Sequence, residues 1–206
     1  MAVIFFSSFA VAFSGAMMPG PLFSLTVSES ARKGFTVGPL LILGHAILEI
    51  VLLIALLFGL APLFNNPVFF ILVSIAGGII LFWMGFSMLR ALPSARLSQE
   101  KEKKEEKRLV LKGILMSLAN PYWIIWWATI GIGYILHSKE FGPWGIILFF
   151  IGHILADLVW YSLISGAVSK GKNLFTDTIY KWLMGVCASL MIGFSVYFLY
   201  SGFSRI

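Results

Sequence analysis

Charge is scarce in this chain. Asp, Glu, Lys and Arg make up only 12% of its 206 residues, against 59% hydrophobic, and the mean hydropathy is +0.94. A soluble chain of this length cannot hide so much apolar surface. A water-soluble globule is therefore excluded, and an all-α polytopic membrane protein is expected, one transmembrane domain over 1–206. Cysteine is nearly absent. Cys187 stands alone, which excludes a disulfide within the chain and a paired-cysteine redox relay. No Lys or Arg precedes Arg32, so the apolar N-terminal run lacks the basic start of a signal peptide and reads as a retained first span. No nucleophile elbow, phosphate loop or zinc-protease pattern occurs, and neither enzymatic activity nor a cofactor is expected.

What the chain does have is six apolar runs of about 20 residues or more. They cover roughly 3–28, 38–61, 67–91, 109–136, 144–168 and 179–203. Connections are short except for 92–108, where Lys101-Glu102-Lys103-Lys104-Glu105-Glu106-Lys107-Arg108 reads as a solvated, mobile loop. The net charge of +6 would suggest nucleic acid in a soluble chain; here it orients the protein. Arg32 and Lys33, eight basic residues from Arg90 to Lys112, and Lys170, Lys172 and Lys181 all fall on one side. Only Lys139 and Arg205 fall on the other. The positive-inside rule places the three basic loops in the cytoplasm and both termini outside, in a cytoplasmic membrane.

Two acids are the exception to the apolar runs. Gly44-His45-(three residues)-Glu49 recurs 108 residues later as Gly152-His153-(three residues)-Asp157. At the same offset Gly34 matches Gly142, Gly77 matches Gly185, and Gly85-Phe86-Ser87 matches Gly193-Phe194-Ser195. This predicts an internal repeat, about 1–91 and 109–206. Three spans per copy is an odd number, so the copies enter the membrane in opposite directions, as in many secondary transporters.

An acid at mid-span costs roughly 2.5–3.5 kcal/mol on insertion scales and so calls for a use. His45 and Glu49, and likewise His153 and Asp157, are four apart and share a helix face. They read as a proton or cation site. A structural pair that holds helices together is the bland alternative, and a metal site on His45, Glu49, His153 and Asp157 is a third. Span one holds Met18-Pro19-Gly20-Pro21 and span four holds Asn120-Pro121, so the first span of each copy is expected to break at its proline. Such breaks are tolerated where they line protein or water. Their freed N–H groups suit a carboxylate and their freed carbonyls a cation. The substrate site is therefore expected at Pro19, Gly20, Pro21, Glu49, Asn120, Pro121 and Asp157, with Trp160 and Tyr161 as candidate pocket lining. The recurring glycines of the third spans, Gly77, Gly85, Gly185 and Gly193, are expected to allow close helix packing.

The Pro19-Gly20-Pro21 motif together with Asn120-Pro121 resembles the LysE/RhtB family of amino-acid exporters, and the likeness extends through Gly34, Gly38 and Gly44 over nearly the whole chain. The resemblance implies export of an amino acid or close derivative, driven by ion gradients. Many relatives carry a Lys just after the Asn-Pro, where this chain has Tyr122. A zwitterion fits the residues too, with its carboxylate at a half-helix N-terminus and its ammonium at Glu49 or Asp157. The partners expected are thus a small amino acid or amine, a coupling ion and the bilayer; a homodimer is compatible with the chain. A divalent-cation exporter and an intramembrane enzyme, both on the His-acid pairs, are the competing readings.

Overall fold

A computed structural model describes residues 1–18, 20–60, 62, 66–94, 106–171 and 176–205, with backbone alone at 106 and 121. No β-strand occurs among the described residues. The helices are α1 (Ala2–Ala16), α2 (Pro21–Lys33), α3 (Val37–Ala55), α4 (Pro67–Ala91), α5 (Glu106–Leu118), α6 (Pro121–Trp126), α7 (Ile132–Lys139), α8 (Gly142–Lys170) and α9 (Asp177–Phe203). A π-helical turn, Leu56–Leu60, extends α3, and another, Trp127–Gly131, joins α6 to α7.

Four helical segments are long and apolar enough to cross a membrane: Val37–Leu60, Pro67–Ser94, Gly142–Lys170 and Asp177–Phe203. Two bent pairs bring the crossings to six if each pair is one span. Ala2–Ala16 and Pro21–Lys33 meet at 76°, and Lys107–Leu118 and Tyr122–Lys139 meet at 65°. The expected first and fourth spans are therefore broken, at the expected motifs. Proline explains where each second piece begins. Pro21 and Pro121 take the first helical position, where a missing N–H costs nothing. Asn66 and Thr176 cap α4 and α9 by accepting from backbone N–H groups inside the first turn. One boundary differs from expectation: α5 already begins at Glu106, so the charged run is partly helical. Residues 95–105 of the loop lie outside the described residues.

The helix pairings come in mates. α1 packs on α8 and α5 packs on α3, so the first piece of each broken span lies on the unbroken span that carries the other copy's His-acid pair. Likewise α2 contacts α3 while α7 contacts α8, and α4 pairs with α9. Glycine makes these approaches close. A Cβ on Gly152 would strike the Phe5 carbonyl of α1, and one on Gly44 would strike the Val110 carbonyl of α5. Gly34 (φ 89°) and Gly142 (φ 70°) both occupy the left-handed region in the turns that lead into α3 and α8. Both positions of this pair thus need glycine's freedom at positive φ.

Among the recurring glycines, Gly85 meets the Ala188 carbonyl and Ile192 side chain of α9. Gly193 has no neighbour within 4 Å of the position a Cβ would take, so close approach there falls instead to Gly78 against Leu199 and Gly202 against Ile75. The core divides into layers. One cluster gathers Ile4, Leu53, Trp123, Trp127 and Phe149 on the side of the termini; another gathers Leu22, Val37, Leu41, Leu109 and Tyr161 on the opposite side. On that second side Glu29 of α2 is buried and pairs with Lys112 of α5, and with Lys33 at 2.7 Å. This ion group ties together the two half-helices that run from the breaks to the basic loops.

Candidate functional site

Between the layers lies a cavity of about 70 Å³. Its lining includes Gly15, Met18, Gly20 and Leu22 of the first break, Ser117, Asn120 and Tyr122 of the second, and His45, Glu49, His153 and Asp157. The two breaks face each other, since a Cβ on Gly20 would sit 3.6 Å from Asn120 Nδ2.

The α3 and α8 helices bring the four titratable groups together because each pair is spaced one turn apart on the face turned inward. All four are buried, Glu49 completely. His45 Nε2 lies 3.1 Å from Glu49 Oε1 and 3.6 Å from Asp157 Oδ2. His153 Nε2 lies 2.9 Å from Glu49 Oε2 and 3.7 Å from Asp157 Oδ2. Each histidine therefore bridges both acids, its own helix's and the other copy's.

The outer contacts differ from group to group. Glu49 Oε1 accepts hydrogen bonds from Trp123 Nε1 at 2.9 Å and Trp127 Nε1 at 2.8 Å. Ser117 Oγ donates to the Gly113 carbonyl at 2.8 Å, and His45 Nδ1 lies 2.7 Å from the same oxygen. A hydroxyl has one proton, so His45 Nδ1 must donate to Ser117. Asp157 Oδ2 and His153 Nδ1 are buried with no hydrogen-bond partner. The Trp126 ring lies tilted at 43° to the His153 ring at a centroid distance of 4.6 Å. Aromatic and hydroxyl side chains thus surround a centre whose groups can exchange protons or hold a cation.

The helix ends at the cavity are unequal. Asn120 Oδ1 accepts from the Tyr122 N–H at 3.1 Å and so closes the start of α6. Gly20 precedes α2 with no side chain to cap it, which leaves the first-turn N–H groups beside Leu22 to another acceptor.

Most of the expected site residues meet here. Gly20, Pro21, Asn120, Glu49, Asp157, His45 and His153 converge, although Pro21 faces a neighbouring cavity beside α4 and α9. Pro19 and the Pro121 side chain lie outside the described residues. Tyr161 lines the cavity; Trp160 does not, and its ring packs against Phe13 at 5.7 Å. Sequence reasoning missed Ser117 and the roles of Trp123 and Trp127 as donors. Trp123 lies 74 residues from Glu49, and nothing local marks it as a partner.

The family model of the LysE type translocator matches residues 13–202. The chain belongs to this family. The threonine efflux protein of Escherichia coli K12 is 28% identical over 218 aligned residues, which cover 98% of this chain and all of that protein. The chemotactic transduction protein ChpE of Pseudomonas aeruginosa is 28% identical over 162 residues, 78% of this chain and 79% of its own length. The leucine efflux protein of Klebsiella pneumoniae is 27% identical over 159 residues, 76% of this chain and 73% of its own length. No solved structure matches. As a LysE type translocator the chain is a multi-pass membrane protein of a transport family, not of an enzyme family.

Proposed function

We propose that this translocator exports a small amino acid or related amine across the cytoplasmic membrane, coupled to protons or another ion, by alternating access of two inverted three-helix halves. The observation that carries the reading is the convergence of two helix breaks and four buried titratable groups on one cavity. An amino acid needs opposite charges recognised a few ångströms apart. Its ammonium fits beside Asp157, whose Oδ2 lacks a partner, with the Trp126 and Tyr161 rings close by. Its carboxylate fits the uncapped start of α2, where backbone N–H groups and the helix dipole favour an anion. The small cavity favours a small side chain. The relatives named for threonine and leucine efflux support this substrate class.

The mated packing of α1–α8 and α5–α3 supports two copies of one plan in opposite orientation, the arrangement that alternating access uses. The distribution of Lys and Arg supports cytoplasmic placement of the loop around 92–108, with both termini outside.

Purified protein in proteoliposomes tests the proposal. Under an imposed proton gradient, one or more small amino acids are expected to be carried, and the same compounds to raise the melting temperature. A ligand at 100 times its Kd stabilises by about 2.7 kcal/mol. Absence of both flux and stabilisation across the small amino acids and amines overturns the reading. Labelling of a Ser98→Cys variant from outside intact cells would overturn the orientation.

A further inference from the structure

We propose that His45, Glu49, His153 and Asp157 form a binding site for one divalent transition-metal ion of the Zn²⁺ class. The inference uses the same cavity as the export reading but does not depend on the cargo.

Geometry is the first argument. Each residue offers one donor atom, and all four atoms lie within 4.8 Å of one another. A tetrahedral ion with bonds of about 2.0 Å places its ligand atoms about 3.3 Å apart. The imidazole–carboxylate separations of 2.9 Å to Glu49 Oε2 and of 3.6 and 3.7 Å to Asp157 Oδ2 fall on both sides of that figure. Separations within the set reach up to 4.8 Å and would shorten as the site closes around an ion.

Hydrogen bonding is the second argument. Ser117 holds the Nδ1 proton of His45, so the Nε2 lone pair of the neutral ring is turned toward the two carboxylates. Lone pairs facing carboxylate oxygens repel unless a proton or a cation lies between them. Outer partners of this kind orient histidines that ligate metals. The two indole N–H groups fix the Glu49 carboxylate through Oε1, and its Oε2, which has no hydrogen-bond partner, lies 2.9 Å from His153 Nε2. Asp157 Oδ2, buried and without a hydrogen-bond partner, supplies the fourth donor.

Charge is the third. Two neutral imidazoles with two carboxylates carry two negative charges in a buried position at mid-span, which is costly. Two protons or one divalent cation cancel that charge. On metal binding, two N–H protons leave the imidazolium rings and two metal–nitrogen bonds form, so charge balances on both sides of the exchange. Two nitrogens and two oxygens suit Zn²⁺, Co²⁺ or Ni²⁺ better than Ca²⁺ or Mg²⁺, which prefer all-oxygen shells.

Co²⁺ is the probe, added to untagged, chelator-washed protein in detergent. Intense visible absorption from a tetrahedral ion is expected, saturating at one ion per chain and displaced by Zn²⁺. Apparent affinity should fall by up to about 100-fold per pH unit on acidification, as two bound protons compete. His153→Ala should abolish the band, and Ser117→Ala should keep it while weakening affinity by about 10–100-fold. If His153→Ala does not give a cooperative melt, Asp157→Asn replaces it, because Asp157 Oδ2 has no hydrogen-bond partner. No tetrahedral band in the wild-type protein, a band unchanged in Asp157→Asn, or an affinity independent of pH would each overturn the site. Amino-acid flux measured in chelator scores the export reading separately, so either proposal can fail while the other stands.

Discussion

The two halves of this translocator carry similar features and differ where they meet. Each half has a broken first span, a turn glycine at positive φ and a histidine four residues before an acid. Yet the break in the second half is closed by Asn120, whereas Gly20 leaves the break in the first half uncapped. The acids are opposite again. Glu49, from the first half, is held by two tryptophans of the second, while Asp157 Oδ2 has no hydrogen-bond partner. Symmetry of the fold therefore does not imply symmetry of the site. The proposed zwitterion would meet the first half's uncapped helix start at one end and, at the other, Asp157, whose Oδ2 lies 3.6 and 3.7 Å from the two histidines.

The acids give the largest test of that division. Glu49→Gln breaks a buried network and should cost about 3–5 kcal/mol of stability along with transport. Asp157→Asn should abolish transport and leave the melting temperature close to wild type. Thermal melts and vesicle flux on the same purified variants check both, and equal loss of stability in the two would erase the distinction. The breaks come next. Gly20→Leu places a side chain over the uncapped start of α2 and should slow transport about 100-fold, since misplacement near a reacting or binding group can cost that much. Asn120→Ala removes only a cap, worth about 1 kcal/mol, and should leave most of the flux. If Asn120→Ala proves the more damaging for flux, the carboxylate belongs at α6 and the comparison reverses.

Smaller effects sharpen the picture. Trp127→Phe deletes one hydrogen bond to a charged group and should lower stability by about 1.5–3 kcal/mol. The smallest test asks where the halves are alike. Gly34→Ala and Gly142→Ala should each cost about 1–3 kcal/mol, because both force a side chain to positive φ, at Gly34 in a region nearly closed to other residues. Denaturant melts that disagree strongly between these two would show that the turns are not equivalent.

Much of the site could be read in the sequence because the decisive features were periodic or rare. A histidine and an acid one helical turn apart, repeated at a fixed offset in apolar runs, place themselves on matching faces. Prolines beside Gly20 and Asn120 state where helices stop. The remainder was hidden because it depends on pairing between distant elements. Trp123 and Trp127 look like ordinary membrane aromatics until the packing sets them against Glu49. Trp160 and Tyr161 are neighbours in sequence, but the helix turns only the second toward the cavity. Glu29 stands at the end of its apolar run and carries no sign that Lys112, 83 residues away, will meet it. The kink at Gly59 (φ 114°) had no motif at all.

The group formed by Glu29, Lys33 and Lys112 fastens α2 to α5 on the side of the basic loops. Any motion that parts these two helices has to separate a buried carboxylate from its cations, and none of the three residues lines the cavity, so a ligand held there touches none of them directly.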